Sequence, residues 1–206
     1  MKDEEIIDYY ALKHSKDEGF SRGTALIKHM PYIAQIIQKY KVNSVLDYGC
    51  GKAVFWKNNV STWKIMFQWP SNIQGRLSLY DPAIDEDIST FSKGKTELCI
   101  HNTIPAGRSD LVICTDVLEH VPEHNIPSTL DSILSKSRRF VYLNISCYAA
   151  TKTFPDGSNL HLTLRPPAWW REQISASQAR VFAQAKSFLS IDINFDEDIV
   201  HYENQR

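Results

Sequence analysis

Three acidic positions each follow an apolar, strand-like run of the sequence. Asp47 follows Ser-Val-Leu, Asp81 follows Arg-Leu-Ser-Leu-Tyr, and Asp116 follows Asp-Leu-Val-Ile-Cys-Thr. In an open α/β sheet, ligands bind at the carboxyl ends of the strands, so these acids should converge on one crevice. An ionised carboxylate offers two acceptor oxygens, which suit the paired hydroxyls of a ribose. Any one of these acids alone would more often be a cap or a surface residue.

Two closely spaced glycines follow the first acid. In the run Asp-Tyr-Gly-Cys-Gly-Lys-Ala, Gly49 and Gly51 provide backbone freedom where a ligand must approach closely. A helix is expected to begin near Ala53. The dinucleotide fingerprint requires a small residue three positions after the second glycine, where this chain has Val54. The turn therefore suits a nucleotide-type ligand, and its spacing disfavours a dinucleotide.

These segments resemble motifs of a known family. Residues 47–53 resemble the first motif of the class I S-adenosylmethionine-dependent methyltransferases, with Ala53 in place of the usual third glycine. Leu79-Tyr80-Asp81-Pro82 resembles the second motif, and residues 110–122 resemble the fourth-strand signature of the small-molecule, type 11-like branch. The resemblance extends along most of the chain, and the order and spacing of the motifs support it.

The resemblance implies S-adenosylmethionine as cofactor and S-adenosylhomocysteine as product. The cofactor-binding residues that it implies are Asp47, Tyr48, Gly49, Cys50, Gly51, Asp81, Pro82, Thr115 and Asp116. It places residues 48–51 along the methionine end, with Asp47 holding the turn and reaching the amino group. Asp81 would bind the ribose hydroxyls and Pro82 would pack near the adenine. Residues 115–116 would flank the sulfonium.

Two histidines are candidates for a catalytic base. A neutral imidazole can accept a proton near pH 7, which would help a hydroxyl acceptor react. His120 follows the fourth-strand signature, and the alternative is a helix-start residue bonded to the backbone. His161 lies in the irregular segment 146–168, and the alternative is a loop held by Trp169 and Trp170. Arg165 could hold an acidic substrate group in a bidentate fork.

Hydrophobic periodicity predicts alternating helices and strands. Helices are expected at 24–41, with Thr24 as N-cap, at 53–59, from Pro122 over the stripe Ile126, Leu130, Ile133 and Leu134, and from Trp169. Strands are expected at 44–46, 76–80, 97–101, 110–115, 139–145, 188–193 and 199–202. This pattern predicts an α/β fold: a Rossmann-like, doubly wound, mostly parallel seven-stranded sheet with an antiparallel last strand and helices on both faces.

The length of 206 residues, 43% of them hydrophobic, suits one domain over 1–206. Within it, 1–43 would form an N-terminal helical cap or lid, and 146–168 a substrate-side loop. The aromatic residues of 1–23 suit either a packed helix or a lid over a ligand. The segment Trp63–Trp69 suits either burial or contact with a partner.

Composition and charge disfavour several classes of partner and site. The formal charge of −1 gives no general support to nucleic-acid binding. Four widely spaced cysteines are typical of free buried thiols and not of a disulfide scaffold or a C-x-x-C metal site, so no metal is expected. The start of the chain has no apolar targeting region, and no run is long enough for a membrane span. We expect a cytoplasmic protein.

The favoured interpretation is an enzyme that transfers a methyl group in line from S-adenosylmethionine to an O- or N-nucleophile of a small molecule. One alternative is a regulatory or partner-binding module that keeps the cofactor site without transfer. Another is an oxidoreductase of related fold, which Val54 disfavours. The sequence does not identify the acceptor or the oligomeric state.

Overall fold

The computed structural model describes residues 2–17, 22–59, 76–84, 90–93, 96–183, 190–195 and 198–200. The helices are α1 (Asp3–Lys16), α2 (Leu26–Tyr40), α3 (54–59), α4 (Ile126–Ser135) and α5 (Pro167–Val181). The strands are β1 (Val45–Tyr48), β2 (Leu77–Tyr80), β3 (Thr90–Lys93), β4 (Thr96–His101), β5 (Ser109–Thr115), β6 (Ser137–Asn144), β7 (Ser190–Phe195) and β8 (Asp198–Val200). None of the helices searched among the described residues is long and apolar enough to cross a membrane.

The chain divides into two compact units, Met1–Asp110 and Leu111–Arg206. In the first unit the strand order is β3-β4-β2-β1. Strand β2 runs parallel to both β1 and β4, and β3 runs antiparallel to β4. All four residues of β1 are buried, which is typical of a strand covered on both faces. The prediction of a single domain over 1–206 stays a prediction.

The second unit has the strand order β5-β6-β7-β8. Strand β6 pairs in parallel with β7 over five residues, from Phe140 opposite Ser190 to Asn144 opposite Asn194. Strand β8 pairs antiparallel with β7. Parallel pairing between strands separated by helices makes the protein an α/β, Rossmann-like fold. Eight strands are described where seven were expected, because β3 was not predicted.

Helix α2 follows its predicted stripe for most of its length. Leu26, Met30, Ile33 and Ile37 are buried, as steps of three and four residues predict. Two details of the prediction were wrong. Tyr40 is 37% exposed. The N-cap position is Ala25, and no side chain caps the helix, so Thr24 does not have that role.

Helix α4 also follows its predicted stripe, and Ile126, Leu130, Ile133 and Leu134 are all buried. Pro122 does not open this helix as expected. It precedes a single 3₁₀ turn at Glu123–Asn125, and α4 begins one residue later at Ile126. Residues 145–166 contain no helix or multi-residue strand, in agreement with the predicted irregular segment.

Candidate functional site

The glycine turn, residues 47–53, is closed by hydrogen bonds to the end of β2. The N–H groups of Gly49 and Cys50 both donate to the carbonyl of Tyr80, at 2.7 and 3.0 Å. The N–H of Gly51 donates to Oδ2 of Asp81 at 2.9 Å. Both glycines have positive φ, 83° and 54°, which only a residue without a Cβ adopts at little cost. The N–H groups of residues 49–51 therefore all donate to acceptors on Tyr80 and Asp81.

A second segment of the first unit packs against the outer side of this turn. The N–H of Val54 donates to the carbonyl of Arg22 at 2.9 Å. A Cβ on Gly23, whose φ is 68°, would lie 2.4 Å from the carbonyl oxygen of Cys50. Only glycine fits this contact. The Lys52 ammonium also donates to the carbonyl of Asp17, at the end of α1.

Asp47 is a buried acid with one hydrogen-bond partner for its side chain among the described residues. Its Oδ2 accepts a 2.6 Å hydrogen bond from the indole N–H of Trp56, which lies on α3. Burial raises the pKa of Asp47 from 3.8 to about 7, the Trp56 hydrogen bond opposes this rise, and nearby Asp81 adds to it. An acid in this state gains stability from any ligand that brings a positive charge.

Asp81 joins the glycine turn to the residues that follow β2. Its Oδ1 accepts from the N–H of Ala83 and its Oδ2 from that of Gly51, both at 2.9 Å. His14, buried on α1, donates from Nδ1 to the carbonyl of Ala83 at 3.0 Å. Burial raises the pKa of Asp81, while His14 and the two N–H groups lower it. Each carboxylate oxygen has a further lone pair for a ligand hydroxyl.

The structure brings Asp47, Asp81 and the glycines together, as the sequence predicts. Tyr48 and Cys50 are buried beside them, and Pro82 is exposed. The ring of Tyr48 meets that of Tyr80 edge to face at 4.8 Å. Cysteine burial differs in part from the prediction of buried thiols: none of the four forms a disulfide, Cys50 and Cys114 are buried, Cys147 is half-buried and Cys99 is exposed. The segment Trp63–Trp69 lies outside the described residues.

The electrostatics of this turn exclude one class of ligand. A phosphate-binding turn directs several N–H groups at an anion. Here the N–H groups of residues 49–51 donate to protein acceptors, and two acids, Asp47 and Asp81, lie beside them. A pyrophosphate would therefore not be bound by the N–H groups of residues 49–51, and it would lie beside two acids. A ligand with a cationic end and neutral hydroxyls fits both properties.

The second unit contains a different cluster of chemistry-bearing side chains. We call it the histidine–carboxylate cluster; its members are Asp116, Glu119, His120 and His161. One nitrogen or oxygen from each member lies within 4.8 Å of those of the other three. Thr115 is buried at the end of β5, and Asp116 follows it, exposed, with φ of 60°. Aspartate is among the residues that tolerate this backbone conformation.

Both histidines of the cluster are oriented by main-chain carbonyls. Nδ1 of His120 lies 3.0 Å from the carbonyl oxygen of Leu160, and Nδ1 of His161 contacts that of Tyr148. A carbonyl only accepts, so Nδ1 carries the proton in each ring, and in a neutral ring Nε2 carries the lone pair. Burial lowers the pKa of His120, which favours its neutral form.

Glu119 forms the floor of the cluster and is fully buried. Its Oε1 accepts from the N–H of Ser146 at 2.9 Å. Its Oε2 is buried and has no hydrogen-bond partner among the described residues. Burial raises the pKa of Glu119 well above its usual range, and the nearby Asp116 carboxylate raises it further.

Backbone contacts hold the segment that contains His161 against the 3₁₀ turn Leu118–His120. The N–H of Thr163 donates to the carbonyl of Glu119 at 3.0 Å, and its hydroxyl donates to that of Val121 at 2.6 Å. The side chain of Asn159 links two parts of this segment: its Oδ1 accepts from the N–H of Ala150, and its Nδ2 donates to the carbonyl of Ala150. These hydrogen bonds hold the backbone on both sides of His161.

Arg165 has a partner within the protein, and its suggested role in binding an acidic substrate group stays a prediction. Its guanidinium already forms a bidentate pair with Glu123, with Nε and Nη2 at 2.8 and 2.9 Å from the two carboxylate oxygens. Both side chains are 45% exposed. Arg165 also lies 5.8 Å from the ring centre of Trp169. The fork that would hold a substrate is occupied by the protein.

Sequence reasoning missed three residues that complete these sites. Glu119 precedes a candidate base and was read only as part of a motif. Trp56 lies nine residues after Asp47, on the helix that follows the glycine turn. The register of that helix could therefore have indicated the contact. His14 lies 69 residues from its partner Ala83, and no local pattern indicates that contact.

Comparison with family models finds no match, and comparison with curated proteins finds none either. Among solved structures, the fold is similar to that of a chain titled "DhpI-SAH complex structure". The match has a TM-score of 0.49 and 18% sequence identity, and it covers 84% of this chain and 86% of that one.

Proposed function

We propose that this protein is an S-adenosylmethionine-dependent methyltransferase that acts on a small-molecule acceptor. The observation that carries the proposal is the glycine turn. Its N–H groups are used internally, and it lies between two buried acids. S-adenosylmethionine is a nucleoside without phosphate that carries an ammonium and a sulfonium group. Its charge complements a turn that a dinucleotide would not fit.

The motifs in the sequence assign the parts of this ligand to residues. The ammonium group would pair with Asp47. Its positive charge would favour the carboxylate form of this acid, which burial disfavours. The ribose hydroxyls would donate to Asp81, which already accepts from Gly51 and Ala83. The adenine would lie toward Pro82. Residues 115–116 are assigned to the sulfonium by the resemblance alone.

The reaction itself is an in-line displacement. A lone pair of the acceptor oxygen or nitrogen attacks the methyl carbon, the carbon–sulfur bond breaks, and its electron pair stays on sulfur. The products are the methylated acceptor and S-adenosylhomocysteine, and the acceptor proton leaves to a base or to water. Positive charge is lost from sulfur, so alignment and exclusion of water supply much of the acceleration. His120 and His161 would act on the acceptor side.

The alternative, a cofactor-binding module without transferase activity, shares the same turn and is separated by experiment. Calorimetry should show binding of S-adenosylmethionine and S-adenosylhomocysteine, and no binding of NAD at the same concentration. Incubation with methyl-labelled S-adenosylmethionine and a small-molecule extract should release S-adenosylhomocysteine. Binding without turnover in any extract would favour the module. Binding of NAD alone would overturn both.

A further inference from the structure

We propose that the histidine–carboxylate cluster binds a divalent cation, and that this cation holds and activates the oxygen of a hydroxyl acceptor. The first part stands on the cluster alone. The second part rests on the function proposed above, because it concerns what the methyl group is transferred to. It also changes the expected role of the two histidines, from bases to ligands.

The donor set is that of a transition-metal site. Two imidazoles and two carboxylates each present one atom, all within 4.8 Å of one another. Bonds of about 2.0–2.2 Å would place opposite ligands about 4.3 Å apart, so small side-chain rotations complete the site. Mixed nitrogen and carboxylate ligands suit Mn²⁺, Fe²⁺ or Zn²⁺ better than Ca²⁺, which takes oxygen ligands.

Glu119 supplies a second, independent observation. Its side chain is fully buried, and Oε2 has no hydrogen-bond partner among the described residues. A buried carboxylate without compensation is expensive, and here a second carboxylate, Asp116, lies beside it. A cation between the two would provide a partner for the unpartnered oxygen and would favour the charged form of both carboxyl groups.

The rings are oriented in the manner of metal ligands. A ligating histidine almost always donates its other N–H to a carbonyl, carboxylate or water, which fixes the ring and its tautomer. His161 contacts the Tyr148 carbonyl through Nδ1, and His120 contacts that of Leu160 in the same way. The two rings are nearly perpendicular, at 88°, with centres 4.7 Å apart.

The burial gradient across the cluster indicates an open site. Glu119 is buried at the floor, the histidines are partly buried, and Asp116 is exposed at the rim. Structural zinc sites are closed by four protein ligands, whereas catalytic sites keep a position for water or substrate. A five- or six-coordinate cation on these four ligands keeps such a position toward the exposed side. A hydroxyl bound there would lose its proton more readily.

The transfer step then runs through the bound oxygen. The acceptor hydroxyl gives its proton to water, and its oxygen forms the bond to the methyl carbon as the carbon–sulfur bond breaks. The electron pair of that bond stays on sulfur. Asp116 connects the two halves of the proposal, because the family resemblance places it beside the sulfonium.

Metal titration tests the first part without any acceptor. The full chain is treated with a chelator, desalted and titrated with Mn²⁺ by calorimetry, and bound metal is counted by mass spectrometry. We expect one ion per chain. Asp116→Asn and His161→Ala change the exposed and half-buried members, and each should weaken Mn²⁺ binding about tenfold or more. His124→Ala, at an exposed histidine outside the cluster, should leave it unchanged.

Water relaxation tests the open position. Protons of water bound directly to Mn²⁺ relax faster, and this effect should be present in the wild-type complex. A cation without bound water would contradict the open site. Equal Mn²⁺ affinity in His161→Ala and His124→Ala, with Glu119→Gln also unchanged, would overturn the metal site.

Binding of S-adenosylhomocysteine separates the two proposals. If it binds and Mn²⁺ does not, the cation inference fails and the proposed function stands. If Mn²⁺ binds and S-adenosylhomocysteine does not, the proposed function fails and only the metal site remains. His161→Ala should lose Mn²⁺ while keeping its affinity for S-adenosylhomocysteine, which shows that the variant is folded.

Discussion

The indole N–H of Trp56 donates a 2.6 Å hydrogen bond to the buried carboxylate of Asp47. This bond joins the end of β1 to α3 across the glycine turn. It is the hydrogen bond that opposes the effect of burial on the pKa of Asp47, which nevertheless rises to about 7. The acid therefore titrates where ligand binding and stability are both easily measured.

The first prediction is that the free energy of unfolding falls as pH rises from 4 to 7. The folded state keeps a proton on Asp47 that the unfolded chain loses near 3.8, so folding is penalised above that pH. The penalty grows to at most about 4 kcal/mol at pH 7 and above. Asp47→Asn should make this slope clearly shallower, as measured by urea unfolding at each pH, and Asp81 and Glu119, whose pKa values are also raised by burial, account for the slope that remains.

Asp156→Asn is the control for this slope. Asp156 is exposed, and its pKa is lowered by hydrogen bonds from Ser158, so its titration lies below pH 4. The slope between pH 4 and 7 should survive in this variant. An unchanged slope in Asp47→Asn would show that another group is responsible.

The second prediction concerns cofactor affinity. If Asp47 holds the ammonium group, S-adenosylmethionine should bind about tenfold more weakly for each pH unit below 7, because binding then requires loss of a proton. Calorimetry in buffers of different ionisation enthalpy should detect that proton. Affinity that stays constant from pH 5.5 to 7.5 would remove Asp47 from the ammonium site.

The third prediction tests the contact behind the glycine turn. Gly23→Ala would place a Cβ 2.4 Å from the Cys50 carbonyl, so the turn must move. Gly157 has a similar positive φ but open space around its Cα, and Gly157→Ala should therefore cost only the backbone strain, about 1–2 kcal/mol. Gly23→Ala should cost more and also weaken S-adenosylhomocysteine binding. Equal stability of the two variants would contradict the contact.

The fourth prediction concerns Asp81. Asp81→Ala should weaken S-adenosylhomocysteine binding by about 1.5–3 kcal/mol, roughly tenfold to a hundredfold, through loss of charge-assisted hydrogen bonds. It also leaves the N–H groups of Gly51 and Ala83 without their acceptor, so the melting temperature should fall. Asp81→Asn removes the charge and keeps one acceptor oxygen, but its NH₂ group then faces one of the two N–H donors. Unchanged affinity in both variants would exclude Asp81 from the site.

The fifth prediction tests the ion pair of Arg165. Both partners are 45% exposed, so a double-mutant cycle with Arg165→Ala and Glu123→Ala should give a coupling of only about 0.2–1 kcal/mol. Turnover and Mn²⁺ binding should be unchanged in Arg165→Ala. A large rise in KM for the acceptor would support Arg165 as a substrate-binding residue.

The parts of the fold that could be predicted from the sequence are those whose pattern lies in residues close together along the chain. The stripe of α4 and the glycine turn are local patterns, so Ile126, Leu130 and Gly49 were placed correctly. The strand β3 was missed because its four residues, Thr-Phe-Ser-Lys, include one large apolar side chain, whereas the equally short β1 and β2 contain three each. Short strands depend on their partner as much as on their own sequence.

The candidate sites were predictable in their acids and not in their partners. Asp47 and Asp81 were expected together because strand ends converge in this fold. The ion pair of Arg165 with Glu123 spans 42 residues, and no local pattern could indicate that the fork is filled. The same limit applies to Glu119, whose unpartnered oxygen is apparent only once its burial is known.

The rings of His161 and His120 are oriented by hydrogen bonds to the carbonyls of Tyr148 and Leu160, respectively. Every amino acid carries a carbonyl, so these two positions can change their side chains without losing the acceptor. The course of the main chain, and not the residue types at 148 and 160, preserves the ring orientations. Related chains with this arrangement would therefore share a backbone path while differing at the positions that steer the rings.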